Sequence, residues 1–92
     1  MQNELKKLRR NIQKVDVSIV KAVSSRLAIA RQIGKLKIKL KLPITDAPRE
    51  IQQIKFFTKL AKAHKVPSAL LLKIFEQLIT ESKRVQKGIK RI

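Results

Sequence analysis

Two cations, Arg26 and Lys37, interrupt what is otherwise an apolar helical face. Alternating steps of three and four from Leu5 reach Leu8, Ile12, Val15, Ile19, Ala22, Arg26, Ile29, Ile33, Leu36 and Leu40. One arginine therefore sits on a register that should face a core or a partner helix. A guanidinium keeps its charge, so burying it is costly unless an anion meets it there. Lys37 lies eleven residues on, a rotation of about 20° and a rise of about 16 Å, so it shares that face. Two cations pointing into a largely apolar surface suit a small anion placed between them.

Near the C-terminus a second apolar stripe, Leu71, Phe75 and Leu78, leads to Ser82 and then Gln86. Either residue alone reads as a helix end turning polar. Taken with Arg26 and Lys37 they complete a donor-rich set of hydroxyl, amide, guanidinium and ammonium. The segment Asp46-Ala47-Pro48-Arg49-Glu50 adds a helix N-terminus with free N–H groups and another arginine.

Other chemistries lack their residues. Zero cysteines exclude disulfides and thiolate sites, and one histidine with six scattered acids supplies no convincing metal set. His64 stands between Lys62 and Lys65 and reads as a surface side chain. There is no glycine-rich phosphate loop and no nucleophile with a base at helical spacing. An enzyme built from these residues works by binding and electrostatics, without cofactor, metal, covalent intermediate or proton transfer.

The elements that must position these groups are three helices. The first stripe continues to Leu40 and stops at Leu42-Pro43, because the residue before proline is pushed out of helical geometry. Asp46 or Thr45 caps a second helix with Pro48 in its first turn, carrying Ile51, Ile54, Phe57 (or Phe56), Leu60 and Ala61 to about His64-Lys65. Pro67-Ser68 opens the third, with Val85 and Ile89 extending its apolar side. No segment sustains the alternation of a strand. The expected class is all-α, one domain over residues 1–92.

A first helix of about 38 residues is roughly 57 Å long. A compact chain of 92 residues has a radius of gyration of only about 12 Å. The helix overshoots its own domain, so another chain must cover part of its stripe, and an intertwined homodimer follows. Gly34 inside this helix costs about 1 kcal/mol against alanine and allows close backbone approach.

The net charge is +17, with no Trp or Tyr and three Phe. Base-stacking nucleic-acid modules need more aromatics than that. The charge is spread along the chain instead of gathered in a tail, which reads as a lysine-rich solvated surface. Nucleic acid is therefore a disfavoured partner. No apolar run approaches a membrane span and no signal-peptide core opens the chain, so a cytoplasmic protein is expected.

Taken in order, the polar and apolar positions resemble a known family. Leu8, Arg9, Ile12 and Asp16 come first, then Ser25, Arg26, Ile29, Ala30, Ile33, Gly34 and Lys37. Pro43, Ile44, Asp46, Arg49 and Glu50 follow, then Ile74, Phe75, Leu78, Ile79, Ser82 and Gln86. This pattern, covering residues 4–89, resembles the all-helical class of chorismate mutases. The resemblance implies an intertwined dimer of three-helix subunits with two equivalent sites that rearrange the chorismate dianion to prephenate.

It also implies roles. Arg9 resembles the arginine that reaches into the partner's site, and Arg26 the carboxylate anchor within the subunit. Lys37 resembles the lysine that contacts a carboxylate and the ether oxygen, and Gln86 the second donor to that oxygen. Asp46, Arg49 and Glu50 match the segment that holds the ring hydroxyl and supports the site, and Ser82 matches a carboxylate donor. Two alternatives remain at this stage. One is a lyase of the same fold that removes pyruvate from isochorismate, the other a basic helical dimer that binds nucleic acid.

Overall fold

The computed structural model describes residues 1–89. Three helices make up the chain: α1 (Gln2–Leu40), α2 (Ala47–Ala63) and α3 (Ser68–Lys87). No strand occurs among the described residues. No helix there is long and apolar enough to cross a membrane.

α1 ends through two crossed hydrogen bonds. Lys41 adopts a left-handed conformation (φ 56°), and its N–H donates to Ile38 O while the Leu42 N–H donates to Lys37 O at 2.8 Å. This satisfies carbonyls that the last turn would otherwise leave open, and it reverses the chain just before Pro43. Of the two proposed caps, Asp46 serves α2: its Oδ1 accepts the Arg49 N–H at 3.1 Å. Pro48 occupies the first turn, where an N–H is not needed.

Between α2 and α3 the same device recurs at Lys65 (φ 55°), with the Val66 N–H donating to Ala61 O at 2.9 Å. A left-handed lysine carries a Cβ penalty that glycine lacks. Lys65→Gly is expected to stabilise the chain by up to about 1 kcal/mol, offset in part by the freer unfolded chain. The measurement is the urea midpoint at constant slope; an unchanged or lower midpoint would refute it.

α3 packs against both α1 and α2 and joins them. Buried side chains are few: Ala30, Phe57 and Ala61 among the apolar ones, with Ser82 and Gln86 among the polar. Of the adjacent phenylalanines Phe57 turns inward, because it stacks on Phe75 of α3 with centroids 3.8 Å apart and planes 15° from parallel. Phe56, one position round the helix, is 57% exposed.

The long helix is not covered by its own chain. Leu8, Ile12, Val15 and Ile19 of the predicted stripe are all more than half exposed. The chain measures 59 × 28 × 15 Å with a radius of gyration of 17.1 Å, well beyond the compact expectation of about 12 Å. Its accessible surface is 8137 Å². A compact monomer of 10.6 kDa would expose about 5,500 Å².

Candidate active site

Arg26, Ala30 and Gly34 lie at steps of four on α1, so the arginine shares its ridge with two of the smallest residues. Ala30 and Gly34 are buried, and α3 comes close there. A Cβ on Gly34 would lie 3.0 Å from Gln86 Cγ, 3.2 Å from Gln86 Cα and 2.5 Å from Ile89 Cδ1. The close approach expected at Gly34 is thus an approach to Gln86, and it sets how far Gln86 stands from α1. Ser82, one turn earlier on α3, faces Arg26 by the same register.

These contacts open onto a cavity of about 420 Å³, within the usual range for a small ligand. Arg26, Lys37, Asp46, Arg49, Glu50, Ser82 and Gln86 all line it. Seven of the eight residues singled out in the sequence therefore meet in one place. Arg9 does not. It is exposed, about 25 Å up α1 from Arg26, and does not reach its own chain's cavity.

The Arg26 Nη1 donates to Ser82 Oγ at 2.7 Å and to Leu78 O at 3.4 Å, and Ser82 Oγ donates to Leu78 O at 2.8 Å. The Phe75 ring lies 6.0 Å from the guanidinium carbon, so the stacked Phe57–Phe75 pair backs the arginine. Desolvation by burial lowers the Arg26 pKa from its ordinary value, yet a guanidinium remains charged at neutral pH. The anion expected beside Arg26 is absent from its protein contacts: both partners are neutral oxygens. Lys37 repeats the pattern, its Nζ donating to Ile44 O at 2.7 Å. The turn that ends α1 at Lys41 is what brings Ile44 back to it.

Gln86 is 8% exposed, and its Oε1 is buried without a hydrogen-bond partner among the described residues. An unpaired buried amide oxygen is costly, so the side chain is not satisfied by the protein alone. Glu50 is met by Lys83 of α3, an ion pair between half-buried side chains. Apolar walls come from Ile29, Ile33, Ile44 and Ile79.

Lys83 and Gln53 line the cavity as well, and neither was anticipated. One lysine among 23 Lys and Arg carries no signal of its own in the sequence. Its meaning appears only once α2 and α3 are placed together. The cavity then holds four cations, Arg26, Lys37, Arg49 and Lys83, against the carboxylates of Asp46 and Glu50. Neither histidine nor cysteine lines it, and His64 caps the far end of α2. The site can bind an anion of about two charges, orient it and stabilise charge that develops on it.

A profile of the chorismate mutase type II family matches residues 8–87. A chorismate mutase of Methanocaldococcus jannaschii is 33% identical over 87 residues, covering 95% of this chain and 88% of that protein. The bifunctional chorismate mutase/prephenate dehydratase of Aquifex aeolicus is 31% identical over 93 residues, and that of Escherichia coli K12 26% identical over 88. The chain spans only 25% and 23% of those two longer proteins. A match over nearly the whole chain places it: the chain belongs to the chorismate mutase type II family.

Proposed function

We propose that the chain catalyses the rearrangement of chorismate to prephenate in the cavity between α1, α2 and α3. The observation that carries this reading is the meeting of Arg26, Lys37, Ser82 and Gln86 at one cavity whose lining contains neither histidine nor cysteine. Chorismate is a dianion that rearranges through a cyclic transition state as its ether C–O bond breaks. Negative charge grows on the ether oxygen, so donors placed there stabilise the transition state more than the bound substrate.

Lys37 and Gln86 are those donors. Lys37 has three N–H groups and only one is directed at Ile44 O, so two remain for substrate. Arg26 anchors one carboxylate, already braced by Ser82 and Phe75, and holds the compact reactive conformer. The Ser82 hydroxyl has a single proton, now given to Leu78 O, and turns from that carbonyl to donate to the carboxylate. Asp46, Arg49 and Glu50 bind the ring hydroxyl and support the site. The isoleucines supply an apolar lining beside these polar contacts.

The active unit is a homodimer. The surface left over relative to a compact monomer, about 2,600 Å² per chain, far exceeds the ~800 Å² that each partner of an ordinary stable interface buries. The exposed apolar stripe of α1, from Leu5 through Leu8, Ile12 and Val15 to Ile19, is where another copy of α1 supplies a matching apolar face. The partner's Arg9 then completes each cavity. Sedimentation at micromolar concentration is expected to give twice the chain mass. A folded, active monomer would contradict the dimer.

The activity itself is tested by following chorismate loss in the ultraviolet with prephenate as product, beside a parallel assay for pyruvate release from isochorismate. Turnover of isochorismate alone would replace the mutase with the lyase.

Gln86 makes a prediction about pH. As a neutral amide it donates without needing a proton from solution, so activity holds across neutral and mildly acidic pH. In Gln86→Glu a buried carboxyl must be protonated to donate. Burial raises that group's pKa, so the variant is active on the acid side and loses activity as pH rises through it. An unchanged kcat profile between pH 4.5 and 8 would remove Gln86 from the ether oxygen.

A further inference from the structure

Lys83 has no role in the reading above, yet it stands at the wall between two cavities. The catalytic cavity and a second one of about 400 Å³ share Glu50, Ile79 and Lys83. The Glu50–Lys83 ion pair is the polar part of that partition, tying the first turn of α2 to the last turns of α3. Beyond it the second cavity is lined mainly by apolar groups, including Ile54, Leu72 and Phe75.

The charged groups that share these two cavities with Glu50 come from all three helices: Arg26 and Lys37 from α1, Asp46 and Arg49 from the start of α2, and Lys83 and Glu76 from α3, with Glu76 on the second cavity. Arg26 and Lys37 are occupied by neutral oxygens, and Arg49 makes no ion pair among the described residues. Lys83 alone meets Glu50. Its removal would leave a half-buried carboxylate without its ion-pair partner on the wall of a site that receives a dianion. Repulsion between that carboxylate and the substrate would weaken binding, with little effect on the later growth of charge at the ether oxygen.

We propose that Lys83 is a positioning residue of this site. Its ammonium fixes the Glu50 carboxylate and offsets its charge, so that this carboxylate accepts from the ring hydroxyl without repelling the substrate's own carboxylates. The proposal rests on the mutase reading, and its effect should fall on KM. Lys83→Met is expected to raise KM for chorismate by about tenfold while kcat stays within about threefold. Lys83→Arg keeps a cation within reach of Glu50 and is expected to hold KM near the wild-type value.

The decisive comparison is a double-mutant cycle. Glu50→Gln removes the charge that Lys83 cancels, so adding Lys83→Met to it is expected to change KM by less than about twofold. An unchanged KM in Lys83→Met would overturn the proposal. So would an equal rise in both backgrounds, which would mean that the ammonium acts on substrate directly or only on the fold. Should Lys83→Met fail to fold, Lys83→Gln is read by the same criteria. Turnover by the wild-type chain is the separate control: an inactive wild type removes the mutase reading and this inference together, whereas an active one with uncoupled variants removes only the role of Lys83.

Discussion

Lys37→Ala is expected to lower kcat by about 10²–10³-fold, the cost of removing one preorganised donor from developing negative charge. Lys37 is the one full positive charge proposed at the ether oxygen, and the structure holds it half-buried on the lining of the cavity that Gln86 also lines. Coulomb interactions there are stronger than in water, so the loss is larger than a solvated lysine could produce. Lys37→Arg should rescue poorly, because a planar fork replaces a compact point charge and changes the contact with Ile44 O. Lys62→Ala, on the exposed last turn of α2, should change little. The Lys37–Ile44 bond also braces the turn after α1, so each variant is first checked for thermal stability and dimer mass. If Lys37→Ala raises KM and leaves kcat intact, the lysine is only a ground-state anchor and its catalytic role fails.

How much of this was legible in the sequence depends on the kind of signal each residue leaves. Arg26 stands out because it breaks an apolar stripe, whereas Ser82 and Gln86 alone read as a helix end turning polar and gain meaning only beside Arg26 and Lys37. Their mutual contact follows once two stripes face each other. Asp46 is readable from its cap position, although only the structure separates it from Thr45. Phe56 and Phe57 differ by one step of about 100° around α2, and the choice is made by Phe75 on another helix. Lys83 and the Ile44 carbonyl leave no trace in sequence. The first is hidden in a lysine-rich composition, and the second is backbone, which every residue has. Gly34 signals close approach, but its partner Gln86 depends on how α1 and α3 cross.

Mixing two crippled chains should restore activity. Arg9→Ala and Arg26→Ala are each expected to lower activity strongly as pure dimers, because every site then lacks one arginine. In a mixed dimer the chain carrying Arg9→Ala keeps its own Arg26 and receives the intact Arg9 of the other chain. That site is complete, while the second site of the same dimer lacks both. Random exchange of equal amounts makes half of the dimers mixed, so about a quarter of all sites become whole. Activity should therefore rise to roughly a quarter of the wild-type level. The structure supports the premise from one side, since Arg9 lies about 25 Å along α1 from Arg26 and cannot reach the cavity of its own chain. It supports it from the other side as well, since the α1 stripe between them, Ile12, Val15 and Ile19, is exposed. The experiment requires independent proof of exchange, such as a mass-tagged chain recovered in mixed dimers. Exchange without recovered activity would place both arginines in one subunit's function, or Arg9 outside the site altogether.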